Sequence, residues 1–217
     1  MIQVLLKQYF FVYLHQLKHK HMYKHILRPI LFSFNPETAH NLTFHGISLL
    51  RKIPFARSII RAIYKKESPS LSKEVFGIRF PNPVGLAGGL DKNGEFYNDM
   101  ANFGFGFVEI GSLTPLPQDG NAKPRCFRVP GDKALINRFG INNKGVRNAV
   151  EHLKKERPEV IVAANISKNT SSINEEAAKD YETSFGLLYD FVDMFVVNIS
   201  CPNVVGLTAL QDISFLS

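Results

Sequence analysis

Between residues 23 and 66 apolar side chains recur every three or four positions, with Ile26, Leu27, Ile30, Leu31 and Phe34 in one stretch and Ala39, Leu42, Leu49 and Leu50 in another. That spacing stacks side chains on one face of a helix. Asn35-Pro36-Glu37 is a helix start: Asn caps free amides, Pro fits the first helical position and Glu suits the positive helix end. Pro54 breaks the pattern, and a short helix is predicted over 56–64. The turn-forming segment 67–72 closes this region.

Beyond it the period changes. Residues 75–80 read as a hairpin arm around Gly77, and 83–87 as a buried strand ending in Gly88-Gly89. A helix is predicted over 95–103, a strand over 107–113, a helix over 145–157 and a strand over 160–166. A helix over 175–190 and a strand over 194–199 complete the series. The strands are unbroken apolar runs, as in a parallel sheet covered on both faces. Repeating βα units with polar, glycine-rich loops after each strand predict an α/β fold of the TIM type, a (β/α)8 barrel. Such a barrel needs about 200–250 residues, whereas 68–217 hold four units, and the chain stops at Phe215-Leu216-Ser217 inside a helical stretch. The expected organisation is a lead-in segment 1–21, an amphipathic helical extension 22–67, and the N-terminal half of a barrel over 68–217. The first segment is read as a lead-in helix or as an over-long translation start upstream of Met22.

Composition narrows the class. Of the 217 residues 45% are hydrophobic and 21% charged, which excludes collagenous, low-complexity and wholly disordered chains. Two cysteines, Cys126 and Cys201, are too few for a disulfide framework and favour a reducing compartment. The sequence has no apolar run of about 18 residues, and Lys7 interrupts the apolar start, so neither a spanning helix nor a cleavable signal peptide is expected.

Charge adds a partner class. The net charge is +7, yet residues 1–66 carry eleven Lys or Arg against the single acid Glu37, a local +10. No zinc-finger spacing, RNA-recognition motif or basic zipper accompanies this charge, so no nucleic-acid partner is expected. Basic residues spaced by Leu, Ile and Phe point to a membrane surface; a solvated face on a core-packed helix pair is the alternative.

The strand ends carry the candidate chemistry, because barrel active sites form from loops at the carboxyl ends of strands. These ends read Gly88-Gly89-Leu90-Asp91-Lys92, Gly111-Ser112-Leu113-Thr114-Pro115, Asn165-Ile166-Ser167-Lys168-Asn169 and Asn198-Ile199-Ser200-Cys201-Pro202-Asn203. Between the second and third lies Asn137-Arg138-Phe139-Gly140-Ile141-Asn142-Asn143. No His/Asp/Glu set has metal-ligand spacing, and no nucleophile elbow or P-loop occurs, so no metal is expected. Carboxamides offer both donor and acceptor to a planar, amide-rich ligand such as a flavin or a pyrimidine; each Asn alone is equally an ordinary loop residue.

Taken together and in order, these five strings resemble the dihydroorotate dehydrogenase family, over residues 22–217. The resemblance implies an FMN enzyme that oxidises dihydroorotate to orotate in pyrimidine biosynthesis. The helical extension resembles that of the quinone-dependent, membrane-associated class, which implies a quinone acceptor and a peripheral location on the cytoplasmic side of a membrane. Carried over by position, it assigns Gly88, Gly89, Leu90, Asp91, Lys92, Thr114, Asn165 and Asn198 to FMN. It assigns Lys92, Asn137, Arg138, Phe139, Gly140, Ile141, Asn198 and Asn203 to substrate, and His40 and Arg125 to the quinone tunnel. Cys201 takes the place of the base that removes a proton from the substrate ring, with Lys92 as a charge that favours its thiolate. Members with the extension usually carry Ser there; Cys is typical of soluble members. The family's remaining flavin and phosphate contacts lie in a second half, so the 217-residue chain alone is expected to be a poor enzyme or none. A non-catalytic remnant with a membrane-binding helical segment is the alternative.

Overall fold

The computed structural model describes residues 22–66 and 68–216, with side chains through residue 214. The lead-in segment expected over 1–21 lies outside the described residues. Helical elements come first: a wide turn Tyr23–Leu27, α1 (Arg28–Phe32), α2 (Pro36–Leu50) and α3 (Ala56–Tyr64). They are followed by β1 (Lys73–Val75), β2 (Ile78–Phe80), β3 (Gly85–Asp91), α4 (Tyr97–Ala101), β4 (Phe107–Leu113), β5 (Cys126–Val129) and β6 (Ala134–Asn137). Next come α5 (Val146–Lys155), β7 (Ile161–Ile166), α6 (Ala177–Leu188) and β8 (Met194–Val197).

These elements gather into two compact units. One holds the described chain up to His45 together with Cys126–Ile136; the other holds Gly46–Arg125 and the residues from Asn137 onward. α3 falls in the second of these units, on the sheet's side of the division. Arg57 and Arg61 of α3 both pair with Glu159, and Arg51 pairs with Asp99 and Glu156, so α3 belongs with the sheet.

In the first unit Asn35 acts as the expected cap, its Oδ1 accepting the Thr38 amide at 2.8 Å. Arg128 of β5 donates to the carbonyls of Phe34 (2.7 Å) and Leu31 (3.2 Å), neutralising the carbonyl end of α1. The Phe32 ring lies between Arg128 and Arg28, 4.4 and 4.9 Å from the two guanidinium carbons.

The second unit is built on a parallel sheet in the order β3-β4-β7-β8, the chain order itself. Four parallel strands in chain order, with α4, α5 and α6 between them, are the architecture of one side of a (β/α)8 barrel. Val108, Ile110 and Leu113 of β4 and Val162 of β7 are fully buried, while the edge strands β3 and β8 are half open. Val146, Ala149 and Leu153 supply the buried face of α5.

Where the elements depart from expectation, local chemistry explains it. The first barrel strand begins at Gly85 and includes the glycines, because the ladder to β4 slips between Leu86 and Asp91 and lets them bulge. The following helix is only Tyr97–Ala101, since Asp91 takes the amides of Glu95 and Phe96 ahead of it. The fourth strand stops at Val197, where the Asn198 side chain turns the chain by accepting the Ser200 amide at 3.1 Å. The β5–β6 hairpin was not expected from the sequence.

Candidate functional site

Two irregularities in the sheet shape the carboxyl ends of the strands. The ladder between β4 and β7 slips between Ile110 and Leu113, with Gly111 at φ +104°, a conformation that side-chain-bearing residues avoid. The bulge in β3 exposes Gly88 and Gly89. A Cβ on Gly88 would lie 2.5 Å from Glu109 Oε1, so any larger residue there would displace that carboxylate; Gly89 faces open space.

Side chains from neighbouring strands meet there in two pairs. Glu109 of β4 accepts a hydrogen bond from Asn165 Nδ2 of β7 at 2.6 Å. Asn165 Oδ1 is buried and has no hydrogen-bond partner. Beside them Asn198 Nδ2 donates to Ser112 Oγ at 2.8 Å. The Asn198 carbonyl accepts the Tyr181 hydroxyl at 2.9 Å, and burial pushes that phenol above its ordinary range.

The 137–141 loop adds a third wall. Lys92 Nζ donates to the Gly89 carbonyl at 2.5 Å and sits 4.6 Å from the centre of the Phe139 ring, joining the first strand end to this loop. Asn203 Nδ2 reaches Asn137 Oδ1 at 3.4 Å, and Asn121 Nδ2 donates to the carbonyls of Arg138 and Asn203. Gly140 and Ile141 are held through their carbonyls by Gln118 Nε2, at 3.4 and 2.9 Å.

Cys201 is half-buried against the apolar cluster of Ile141, Ala177, Val204, Leu207 and Leu210, with Tyr181 and Ile199 also packed on it. The ammonium of Lys92 is engaged with Gly89 and Phe139, and Cys201 sits in an apolar wall.

Several assigned residues turn their side chains elsewhere. Both Asp91 oxygens accept backbone amides, from Glu95 (2.9 Å) and Phe96 (2.8 Å), and burial raises its carboxyl above the ordinary range against those lowering bonds. Only its backbone remains for a ligand. Thr114 is fully buried, its hydroxyl donating to Leu116 O at 2.6 Å and accepting from Asn143 at 2.9 Å. Arg125 is buried at the loop base, where Nη1 donates to the carbonyls of Asp119 (2.5 Å) and Asn121 (3.1 Å) beneath Phe139. His40 stands on α2 in the other unit, its ring 4.6 Å from that of Phe44. Among the described residues no cluster of His, Cys, Asp and Glu could hold a metal ion.

Sequence reasoning passed over Glu109 and gave Ser112, Asn143 and Lys168 no role of their own. Lys168 is buried; desolvation holds its ammonium below the usual lysine range while Asp180 counters that shift. Its Nζ donates to Ser172 O at 2.7 Å, and Asp180 accepts the Asn169 amide and the Ser172 hydroxyl, so the pair braces the loop after β7.

An unpartnered buried acceptor, two open glycine backbones and flanking carboxamides fit a flat ligand that carries N–H and carbonyl groups. Fold and site together define a (β/α) barrel protein with a candidate site for such a ring at the carboxyl ends of its strands. The comparisons narrow the class. The family model for dihydroorotate dehydrogenase matches residues 70–217, and the chain belongs to that family. It is 47% identical over 191 residues to dihydroorotate dehydrogenase (quinone) of Christiangramia forsetii, covering 88% of this chain and 56% of that protein. It is also 47% identical over 190 residues to the protein of the same name from Cellvibrio japonicus, covering 88% and 54%. The solved structure of the Eimeria tenella enzyme in complex with ferulenol superposes with a TM-score of 0.65 at 37% identity, over 75% of this chain and 47% of that one. The chain thus spans about half the length of the curated relatives it matches.

Proposed function

We propose that these residues form the first half of a dihydroorotate dehydrogenase site, which uses FMN to oxidise dihydroorotate to orotate and passes electrons to a quinone. The observation that carries this reading is the buried, unpartnered Asn165 Oδ1 beside the open backbone of Gly88 and Gly89, within a chain of this family. Backbone groups of residues 88–92, with Asn165 and Asn198, would hold the flavin ring. When bound, FMN supplies the hydride acceptor.

The chain's own residues do the rest. Lys92, Asn137, Asn198 and Asn203 supply donors and acceptors around a pyrimidine carboxylate and its ring amides. Phe139, held by Lys92 and Arg125, closes the loop over it and excludes water. Cys201 Sγ takes the proton from the ring carbon next to the one that gives up hydride. A thiolate is a competent base, and the apolar wall of Ile141, Val204 and Leu207 keeps water from competing.

Membrane-surface docking of the helical unit belongs to the same reading. Tyr23, Ile26, Leu27 and Ile30 are exposed among Lys24 and Arg28. No helix among the described residues is long and apolar enough to cross a membrane.

The test is direct. Titrating the purified chain with FMN should give saturable quenching of flavin fluorescence; a chain that leaves the fluorescence unchanged would end this reading for it. In the enzyme carrying the complete barrel, Cys201→Ala should lower dihydroorotate oxidation by at least a hundredfold, the scale of a lost general base, with FMN content intact. Turnover surviving in that variant would remove Cys201 from the role.

A further inference from the structure

Resting on the flavin-and-pyrimidine reading above, we propose that Glu109 is a positioning residue: it fixes the Asn165 carboxamide so that Oδ1 is presented as an acceptor to an N–H of the bound ring. Nothing in the sequence reading gave Glu109 a task; it sits in the middle of an apolar strand.

Three observations converge on it. The alternation of β4 sends Val108 and Ile110 into the core and Glu109 to the opposite face. There Oε1 accepts from Asn165 Nδ2 at 2.6 Å. Gly88 leaves just enough room for it, since a Cβ would come within 2.5 Å of that same oxygen.

The consequence is directional. A carboxamide can turn over and exchange its donor for its acceptor, and the two forms differ little in shape. An ionised carboxylate only accepts, so a flipped Asn165 would set two oxygens against each other at the present 2.6 Å. Glu109 therefore selects one form. The Oδ1 left over is buried and unpartnered, and a buried acceptor without a partner is costly until something donates to it. Imide and amide N–H groups of a flavin or a pyrimidine are such donors, and both rings present them in a plane.

Nuclear magnetic resonance of the 217-residue chain, labelled with nitrogen-15, tests the lock without any ligand. In the wild type one Asn165 side-chain N–H proton should be shifted downfield and protected from exchange, identified by its loss in Asn165→Asp. Glu109→Leu should return it to the ordinary amide position, and Glu109→Gln, whose carboxamide can donate as well as accept, should restore it only in part. An ordinary, unprotected amide in the wild type overturns the proposal, whether or not the Leu variant folds.

FMN and orotate are then titrated separately. The ligand whose N–H meets Oδ1 should bind Glu109→Leu about tenfold more weakly, with Glu109→Gln between Glu109→Leu and wild type, and which ligand shows the loss identifies the ring. Equal affinities of wild type and Glu109→Leu for both ligands overturn the proposal. A protected amide in a chain that binds neither ligand overturns the proposed function while the Glu109–Asn165 lock stands.

Discussion

The central strands and the N-terminal helices use the same apolar residue types to opposite ends. In β4 and β7 every large aliphatic side chain except the starting Ile161 is buried, and Val108, Ile110, Leu113 and Val162 are completely so. In the N-terminal helices Ile26 is 56% exposed, Ile30 54% and Leu42 49%, and among the described residues up to His45 only Ala39 and Phe44 are buried. The sheet consumes its hydrophobic surface within its own unit. The helices keep theirs for something else, and clusters of exposed apolar side chains among basic ones mark membrane or ligand surfaces.

The contrast is broken most severely at Leu113, which packs at the end of β4 with no solvent contact. Leu113→Ala should cost about 3 kcal/mol through lost transfer energy and the cavity left behind, read as a lower urea midpoint. A change below about 1 kcal/mol would mean the sheet is far looser than its burial implies.

The same kind of truncation in the helices should behave differently. Ile26→Ser with Ile30→Ser removes two exposed side chains, so the urea midpoint should move by less than about 0.5 kcal/mol. Binding to vesicles containing anionic lipid should fall about tenfold, since each lost side chain removes apolar area from the bilayer boundary. Unchanged vesicle binding would assign these side chains to another partner.

How much of this could be read from the chain depended on whether the signal was local. The cap at Asn35, the turn at Gly77 and the strand 107–113 are written in neighbouring residues, and each lies where the pattern puts it. The β5–β6 hairpin was missed because Ala134–Asn137 is exposed throughout and shows no alternation. Glu109 was hidden inside an apolar run, and only its cross-strand partner, 56 positions away in Asn165, gives it meaning. A motif also cannot distinguish backbone from side chain. Asp91 and Thr114 belong to strings assigned to the cofactor, yet their polar atoms hold the turns that shape the loops.

The smallest expected effect concerns how α3 is held to the sheet unit. Glu159 accepts from Arg61 and Arg57, and those bonds, Arg61 first, hold its carboxyl below the ordinary range. A depressed folded-state value means the native state binds this proton more weakly than the unfolded chain does. The pair therefore stabilises fully above the ordinary carboxylate value, and the contribution disappears as pH falls through the depressed one. The Glu159 side chain is 43% exposed, so screening keeps the contribution to about 0.5 kcal/mol. Glu159→Gln should lower the neutral-pH urea midpoint by that amount, with the gap to wild type closing on acidification and narrowing in high salt. A gap that persists in acid would show that Glu159 acts by packing, and that α3 is held to the sheet unit by shape and not by charge.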